Sequence, residues 1–266
     1  MGCYTGATIK EDEKMALLEI KHLVKTYPGE VPVEVLKGID LKIGKGEFVA
    51  VMGPSGSGKT TLLNCIATLD QPSSGTIVLE GETPQGYDKN RLADFRRKKL
   101  GYVFQDYNLL APLTVIENIV LPLTLDGVPK RRMLEEAQGL MQELGIDHLR
   151  DKRVYQLSGG EAQRVAICRG LIHQPSLILA DEPTGNLDSK AAGSVMQLLS
   201  EINTERQVTT LMVTHDALSA SYCSRVVFIK DGLFYNELYL GESRESFYKK
   251  ILTVLSHLGG RSHEFY

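Results

Sequence analysis

The sequence predicts an α/β protein: a mostly parallel sheet with flanking helices, an N-terminal antiparallel β-subdomain and an inserted α-helical subdomain. Three observations predict it. A glycine-rich loop, Gly53-Pro54-Ser55-Gly56-Ser57-Gly58-Lys59-Thr60-Thr61, joins the apolar run Phe48-Val49-Ala50-Val51-Met52 to the helical run Leu62-Leu63-Asn64-Cys65-Ile66. A second apolar run, Leu177-Ile178-Leu179-Ala180, ends in adjacent carboxylates, Asp181 and Glu182. Between the two the chain turns helical, and strand–helix alternation then resumes.

In chain order, 17–24, 34–43 and 47–52 read as strands, separated by the turn signals Pro28-Gly29 and Gly44-Lys45-Gly46. Another strand, 75–80, follows Pro72. Segments 113–125, 131–144 and 160–173 read as helices, punctuated by Pro112, Pro122, Pro129 and Gly145. Buried-type strands at 177–180 and 210–214 then bracket an amphipathic helix over 191–202. Asp231-Gly232, between Val226-Val227-Phe228-Ile229 and Leu233-Phe234-Tyr235, is a hairpin signal. In the tail, Phe247, Ile251, Leu255 and Leu258 fall on one helix face, with Gly259-Gly260 as its stop. Residues 1–14 lack sustained periodicity and are expected to be a flexible extension, with Met15 a natural internal start. The expected organisation is therefore an extension over 1–14, a nucleotide domain over 15–240 with its helical subdomain at 106–173, and a helical tail over 241–266.

Composition bounds the function. At 266 residues, 42% hydrophobic and 24% charged, the chain is long enough for a substantial core. A formal net charge of -3 gives no global field to recruit nucleic acid. The basic cluster Arg96-Arg97-Lys98-Lys99 lacks interleaved aromatics and reads as a solvated helix face. The four cysteines, Cys3, Cys65, Cys168 and Cys223, are scattered, which points away from zinc and redox motifs and toward a reducing cytosol. No apolar run reaches the roughly 20 residues of a membrane-spanning helix, so work at a membrane needs a partner that supplies the span.

The glycine-rich loop carries the chemistry. Gly53, Gly56 and Gly58 let successive backbone N–H groups turn around a β-phosphate, Lys59 supplies a point charge toward the β- and γ-phosphates, and the Thr60 hydroxyl suits Mg²⁺. The following helix aims its positive end at the same anion. A strand ending in Asp181 and Glu182 delivers both acids to the ligand edge of a parallel sheet, Asp181 toward Mg²⁺ and Glu182 as the base that polarises water. Leu157-Ser158-Gly159-Gly160-Glu161 is a capping box and, equally, a second anion-binding helix start. A second site for the same phosphate makes sense when another subunit brings it.

These segments together resemble an ATP-binding-cassette (ABC) ATPase from about Leu17 to Leu240. In family order come the phosphate loop at 53–61, Gln105 of the Q-loop, the signature at 157–161, the Walker B strand ending at Asp181 and Glu182, the D-loop Gly185-Asn186-Leu187-Asp188, and the switch histidine His215. The resemblance implies a P-loop NTPase core that binds ATP and Mg²⁺. Tyr27 would stack on adenine, and Pro54, Ser55, Ser57 and Thr61 would complete the loop. Ser158, Gly159, Gly160 and Asp188 would meet nucleotide across a head-to-tail pair. Glu182, His215 and Gln105 would be catalytic, with Thr60, Gln105 and Asp181 at the metal. A histidine ending a buried strand has a structural reading as well.

Within the family, Leu179 to Ser189 is similar to the MacB, LolD and FtsE branch. Phe104 to Leu110, Met212 to Asp216, Ala220 to Cys223, Val227 to Gly232 and Leu258-Gly259-Gly260 resemble its bacitracin-export, BceA-like members more closely. That implies two copies beneath a transmembrane permease, at the cytoplasmic face of the cell membrane, exporting or removing antimicrobial peptides and signalling to a sensor histidine kinase through the permease. The alternative is mechanical coupling without drug transport, in lipoprotein release or cell division. Docking is expected over 106–125, which reads equally as subdomain core.

Overall fold

The computed structural model describes residues 16–258, so the expected extension over 1–14, Met15, Cys3 and the Gly259-Gly260 stop lie outside the described residues. The elements are β1 (Ala16–Tyr27), β2 (Val33–Gly44), β3 (Phe48–Met52), α1 (Lys59–Ile66), β4 (Ser74–Leu79), α2 (Lys89–Lys99), β5 (Leu100–Val103) and α3 (Val115–Leu125). Then follow α4 (Lys130–Glu143), α5 (Gly159–Leu171), β6 (Leu177–Asp181), α6 (Ser189–Arg206), β7 (Thr209–Val213), α7 (Ala217–Ala220), β8 (Arg225–Lys230), β9 (Leu233–Tyr239) and α8 (Arg244–Leu258).

Two sheets form, as expected: an antiparallel one ordered β2-β1-β4 and a six-stranded one ordered β5-β6-β7-β3-β8-β9. All pairs of the larger sheet are parallel except β8 with β9. Asp231 and Gly232 both turn left-handed, at φ 51° and 80°, which a two-residue hairpin of primed type demands. The central strands alternate between two cores. Phe48, Ala50, Met52, Ile178, Ala180, Met212, Val226 and Phe228 pack against the helical side. Val49, Val51, Leu177, Leu179, Leu211, Val213, Val227 and Ile229 face α1 and the antiparallel sheet. A sheet covered on both faces has no room for polar alternation, which is why these strands are continuous apolar runs.

Register places the working residues. Val51 of β3 and Asp181 of β6 both pair with Val213 of β7, and Val103 of β5 pairs with Ala180. The phosphate loop, Gln105, Glu182 and His215 therefore leave adjacent strands at one edge, the edge where open parallel sheets take ligands.

Two elements escape the hydrophobic pattern. Helix α2 buries little besides Phe95, and β5 is only 4 residues long. The basic cluster is also less solvated than its composition suggests. Arg96 donates to the Thr68 carbonyl and hydroxyl at 3.2 Å, Arg97 pairs with Asp94 and Asp126, and Lys99 pairs with Glu80 at 2.7 Å. Pro122 lies inside α3, in its second half, where it removes one i→i−4 backbone hydrogen bond. The tail stripe packs on the chain itself: Phe247, Ile251 and Leu258 are buried in the helical-side core, with Leu255 against it. Among the described residues no helix is long and apolar enough to cross a membrane.

Candidate functional site

A cavity of about 440 Å³ opens at the sheet edge, lined by Ser55, Gly56, Lys59, Thr60, Glu182 and His215 among others. Its floor is the loop between β3 and α1. Gly56 and Gly58 take φ of +77° and +100°, left-handed values that a side chain resists, and space near the Cα of Gly56 is open to 4 Å. Gly53 is needed for another reason. A Cβ there would lie 2.1 Å from the Ile229 carbonyl oxygen of β8, so within this chain it is packing against a neighbouring strand that forbids a side chain.

Lys59, only 8% exposed, donates from Nζ to the carbonyls of Gly53 at 3.0 Å and Pro54 at 2.9 Å. Burial lowers its pKa, while the nearby charges of Glu182 and Asp181 work the other way. A lysine so placed and aimed along the loop is a short reach from an anion in the cavity. The Ser57 hydroxyl is buried without a hydrogen-bond partner. Left-handed glycines, an enclosed cation, an unpaired hydroxyl and a helix N-terminus make a cradle that fits a triphosphate.

Next to Glu182, which lines the cavity, Asp181 ends β6, and burial, reinforced by the Glu182 charge, raises its carboxyl pKa. Glu182 stands at φ +46°, a strained value held because its N–H continues the ladder to the Val213 carbonyl at 2.9 Å. This backbone twist brings its Oε2 to 2.6 Å from His215 Nδ1. With Nδ1 donating, the Nε2 of a neutral ring is an acceptor, so gripping a phosphate oxygen requires ring protonation or release of this contact. The second Glu182 oxygen remains available as a proton acceptor.

Tyr27 is 38% exposed, and its hydroxyl donates to Asp70 at 2.6 Å; Lys25 Nζ reaches the same carboxylate at 2.5 Å and sits 4.7 Å from the tyrosine ring centre. The hydrogen bond to Asp70, with burial, raises the Tyr27 pKa; the Thr61 hydroxyl lies close enough to oppose it. Lys25 and Asp70, which orient the ring, carry no motif that marks them as site residues.

The remaining predicted residues assemble elsewhere. Gln105 lies against Gly185, where a Cβ would come 2.9 Å from its amide nitrogen, and Asn186 donates to the Gln105 carbonyl at 3.3 Å and to Asp106 at 2.8 Å. Gly159 abuts the Tyr107 hydroxyl and Leu187, and Gly160 abuts Ala191. Ser158 closes its capping box with Glu161, accepting from the Glu161 N–H at 3.3 Å while Glu161 Oε2 accepts from the Ser158 N–H at 2.7 Å. Asp188 caps α6, one oxygen accepting from the N–H groups of Lys190 at 2.9 Å and Ala191 at 3.0 Å. The segments around Gln105, Ser158 and Asp188 thus touch one another, whereas none of these three lines the phosphate cavity. Arg169 joins them unannounced by any motif. Its guanidinium donates to the carbonyls of Tyr107 at 2.8 Å and Asn108 at 2.6 Å, two consecutive left-handed residues.

Comparison with known proteins agrees with this architecture. The ABC transporter family model matches residues 36–185. The ABC transporter ATP-binding protein YxdL of Bacillus subtilis is 57% identical over 248 residues, covering 93% of this chain and 96% of the relative. The bacitracin export ATP-binding protein BceA of Halalkalibacterium halodurans is 48% identical over 248 residues, covering 92% of this chain and 98% of the relative. Among solved structures, the dimeric post-hydrolysis state of the ATP-binding cassette MJ0796 bound to ADP and Pi superposes with a TM-score of 0.77 at 39% identity, over 85% of this chain and 100% of that one. With the phosphate cradle, the paired carboxylates and the signature helix on one scaffold, this chain belongs to the ABC transporter family, as an ATP-binding, ATP-hydrolysing subunit.

Proposed function

We propose that two copies of this chain close head to tail on two ATP molecules beneath a transmembrane permease, and that turnover powers removal or export of antimicrobial peptides such as bacitracin. One observation carries the pairing. Lys59, Thr60, Glu182 and His215 line a single cavity, while the Ser158-Gly159-Gly160 helix start, a second anion-binding surface, belongs to a different cluster of the same chain. A second copy brings that surface over the first copy's phosphates, with Asp188 beside it. Thr60 and Asp181 would hold Mg²⁺, and Gln105 would reach it on closure. Bound there, that ion would neutralise phosphate charge. Glu182 takes the proton of the attacking water, His215 holds the γ-phosphate, and the Tyr27 ring stacks on the base.

The permease supplies the membrane span, which places the chain at the cytoplasmic face. Docking over 106–125 fits a neighbouring cleft of about 460 Å³ lined in part by Leu121 and Leu125, with Tyr102 and Phe104 on its strand side. Likeness to the bacitracin export relative supports the peptide substrate, and the reading extends to signalling to a sensor histidine kinase through the permease. Glu182→Gln should retain MgATP and run as a dimer on gel filtration, hydrolysing ~100-fold more slowly or worse. Adding Ser158→Arg should return it to a folded monomer. A monomeric Glu182→Gln in saturating MgATP with the permease present refutes the pairing, and bacitracin resistance indifferent to this chain refutes the substrate.

A further inference from the structure

Behind the catalytic pair runs a second connection, through Thr184, Ser219 and Asp216. Thr184, two residues after Glu182, and Ser219, on α7 four residues after His215, are both buried, at 8% and 2% exposure. Their hydroxyl oxygens lie 3.1 Å apart. Ser219 Oγ is also 2.6 Å from Asp216 Oδ2, to which it donates, and the same carboxylate oxygen accepts the Ser219 N–H at 2.8 Å. A carboxylate at 2.6 Å outcompetes a neutral hydroxyl for the single Ser219 proton, so Thr184 must donate to Ser219. The direction is fixed: Thr184 to Ser219 to Asp216.

Asp216 adjoins His215. Its other oxygen accepts from the Leu218 N–H at 3.1 Å, and its own N–H donates to the Thr214 hydroxyl at 3.0 Å. Beyond the backbone bond from the Glu182 N–H to the Val213 carbonyl, side chains join the Glu182 loop and the His215 loop twice, in front by the 2.6 Å Glu182–His215 contact and behind by the hydroxyl relay. Beside the relay is a cavity of about 240 Å³ lined by Glu182, His215, Thr184, Ser219, Leu187 and Met196 among others. Apolar packing therefore does not fill the gap between the two loops, and the relay is the rear tie across it. A single contact fixes a distance; two fix an angle as well.

We propose that Ser219, acting with Thr184, is a positioning residue for hydrolysis, aiming the Glu182 carboxylate by tying its loop to that of His215. The inference rests on the role of Glu182 as base given above. A misplacement of the order of 1 Å at a reacting group costs up to ~100-fold in rate, so loss of the rear tie alone is expected to lower kcat by ~10-fold.

The test is MgATP hydrolysis by the full chain at saturating nucleotide, below the melting point of every variant, with nucleotide affinity measured in parallel. Ser219→Ala and Thr184→Val should each lower kcat by ~10-fold and leave affinity within ~2-fold, since neither group lines the phosphate cavity. Thr184→Ser, which keeps the hydroxyl and drops the methyl, should stay within ~2-fold of the parent. The double variant Ser219→Ala with Thr184→Val should fall no further than either single one. Parent-like kcat in both single variants overturns the proposal, as does a Thr184→Ser as slow as Thr184→Val, or a loss that appears in affinity instead of kcat. Glu182→Gln is measured alongside: unimpaired, it removes the base assignment itself, whereas an inactive Glu182→Gln beside full-speed Ser219→Ala overturns only the tie.

Discussion

Alanine placed at each glycine of the phosphate loop should give three different costs, because the three positions lack side chains for three different reasons. At Gly56 the new Cβ meets nothing within 4 Å, and the penalty is that of a left-handed φ of +77° alone, about 1–2 kcal/mol. At Gly58 the same penalty at φ +100° is joined by crowding against Leu36 Cδ2 at 2.8 Å and the Val35 carbonyl at 3.0 Å. At Gly53 the Cβ falls 2.1 Å from the Ile229 carbonyl oxygen and 2.8 Å from the Ser57 hydroxyl. A backbone oxygen inside a paired strand cannot swing aside like a leucine methyl. Relief requires parting β3 from β8, and overpacking of that severity costs about 3 kcal/mol or more. The expected order of destabilisation is Gly53→Ala, then Gly58→Ala, then Gly56→Ala, the first lowering the melting temperature by about 6–12 °C. Urea unfolding of the nucleotide-free chain, followed by far-ultraviolet circular dichroism, reads all three. A Gly56→Ala midpoint shifted as far as that of Gly53→Ala would refute the reasoning.

Lys59→Ala removes charge-assisted contacts worth ~1.5–3 kcal/mol each, so nucleotide affinity should weaken at least ~10-fold by calorimetry; undiminished affinity contradicts the assigned cradle. The cluster of Tyr27, Lys25 and Asp70 should respond to acid. Burial would raise the Asp70 carboxyl, but hydrogen bonds from Lys25 and Tyr27 outweigh it and hold it below its ordinary 3.8. Its stabilising contribution is present above pH 3.8 and lost as pH falls through the lowered folded value. Asp70→Asn should therefore melt earlier at neutral pH and show a shallower acid limb; melting curves that stay parallel to the parent down to low pH count against the cluster.

The central sheet was legible because burial on both faces leaves runs such as Leu177-Ile178-Leu179-Ala180 without polar interruption. The same logic failed at α2 and β5. A helix whose main buried side chain is Phe95 has no apolar stripe to read, and four strand residues directly after a helix leave no turn signal. In the site, the chemistry of Lys59, Asp181 and Glu182 follows from residue type and spacing. What spacing does not carry is which loops meet. The contact of Gln105 with the Gly185-Asn186 turn, Arg169 reaching back to two left-handed carbonyls, and the Thr184–Ser219 relay all join loops and helices distant in the chain. Only the register of β5, β6 and β7 brings them together.

Helix α7 has just four residues, too few to persist in water, since so short a segment cannot repay the cost of nucleating a turn. What keeps it wound is a cap from Asp216 on one side and, on the other, Phe247 and Ile251 sharing a core with its Ala217 and Ala220. The Arg244 guanidinium, 4.1 Å from the Tyr222 ring, adds a clasp just beyond. Helix α8 thereby acts as a splint for the stretch that follows His215. Shortening this protein after β9, or burdening α8 with a bulky fusion, would be felt at the Glu182–His215 contact rather than where the cut was made.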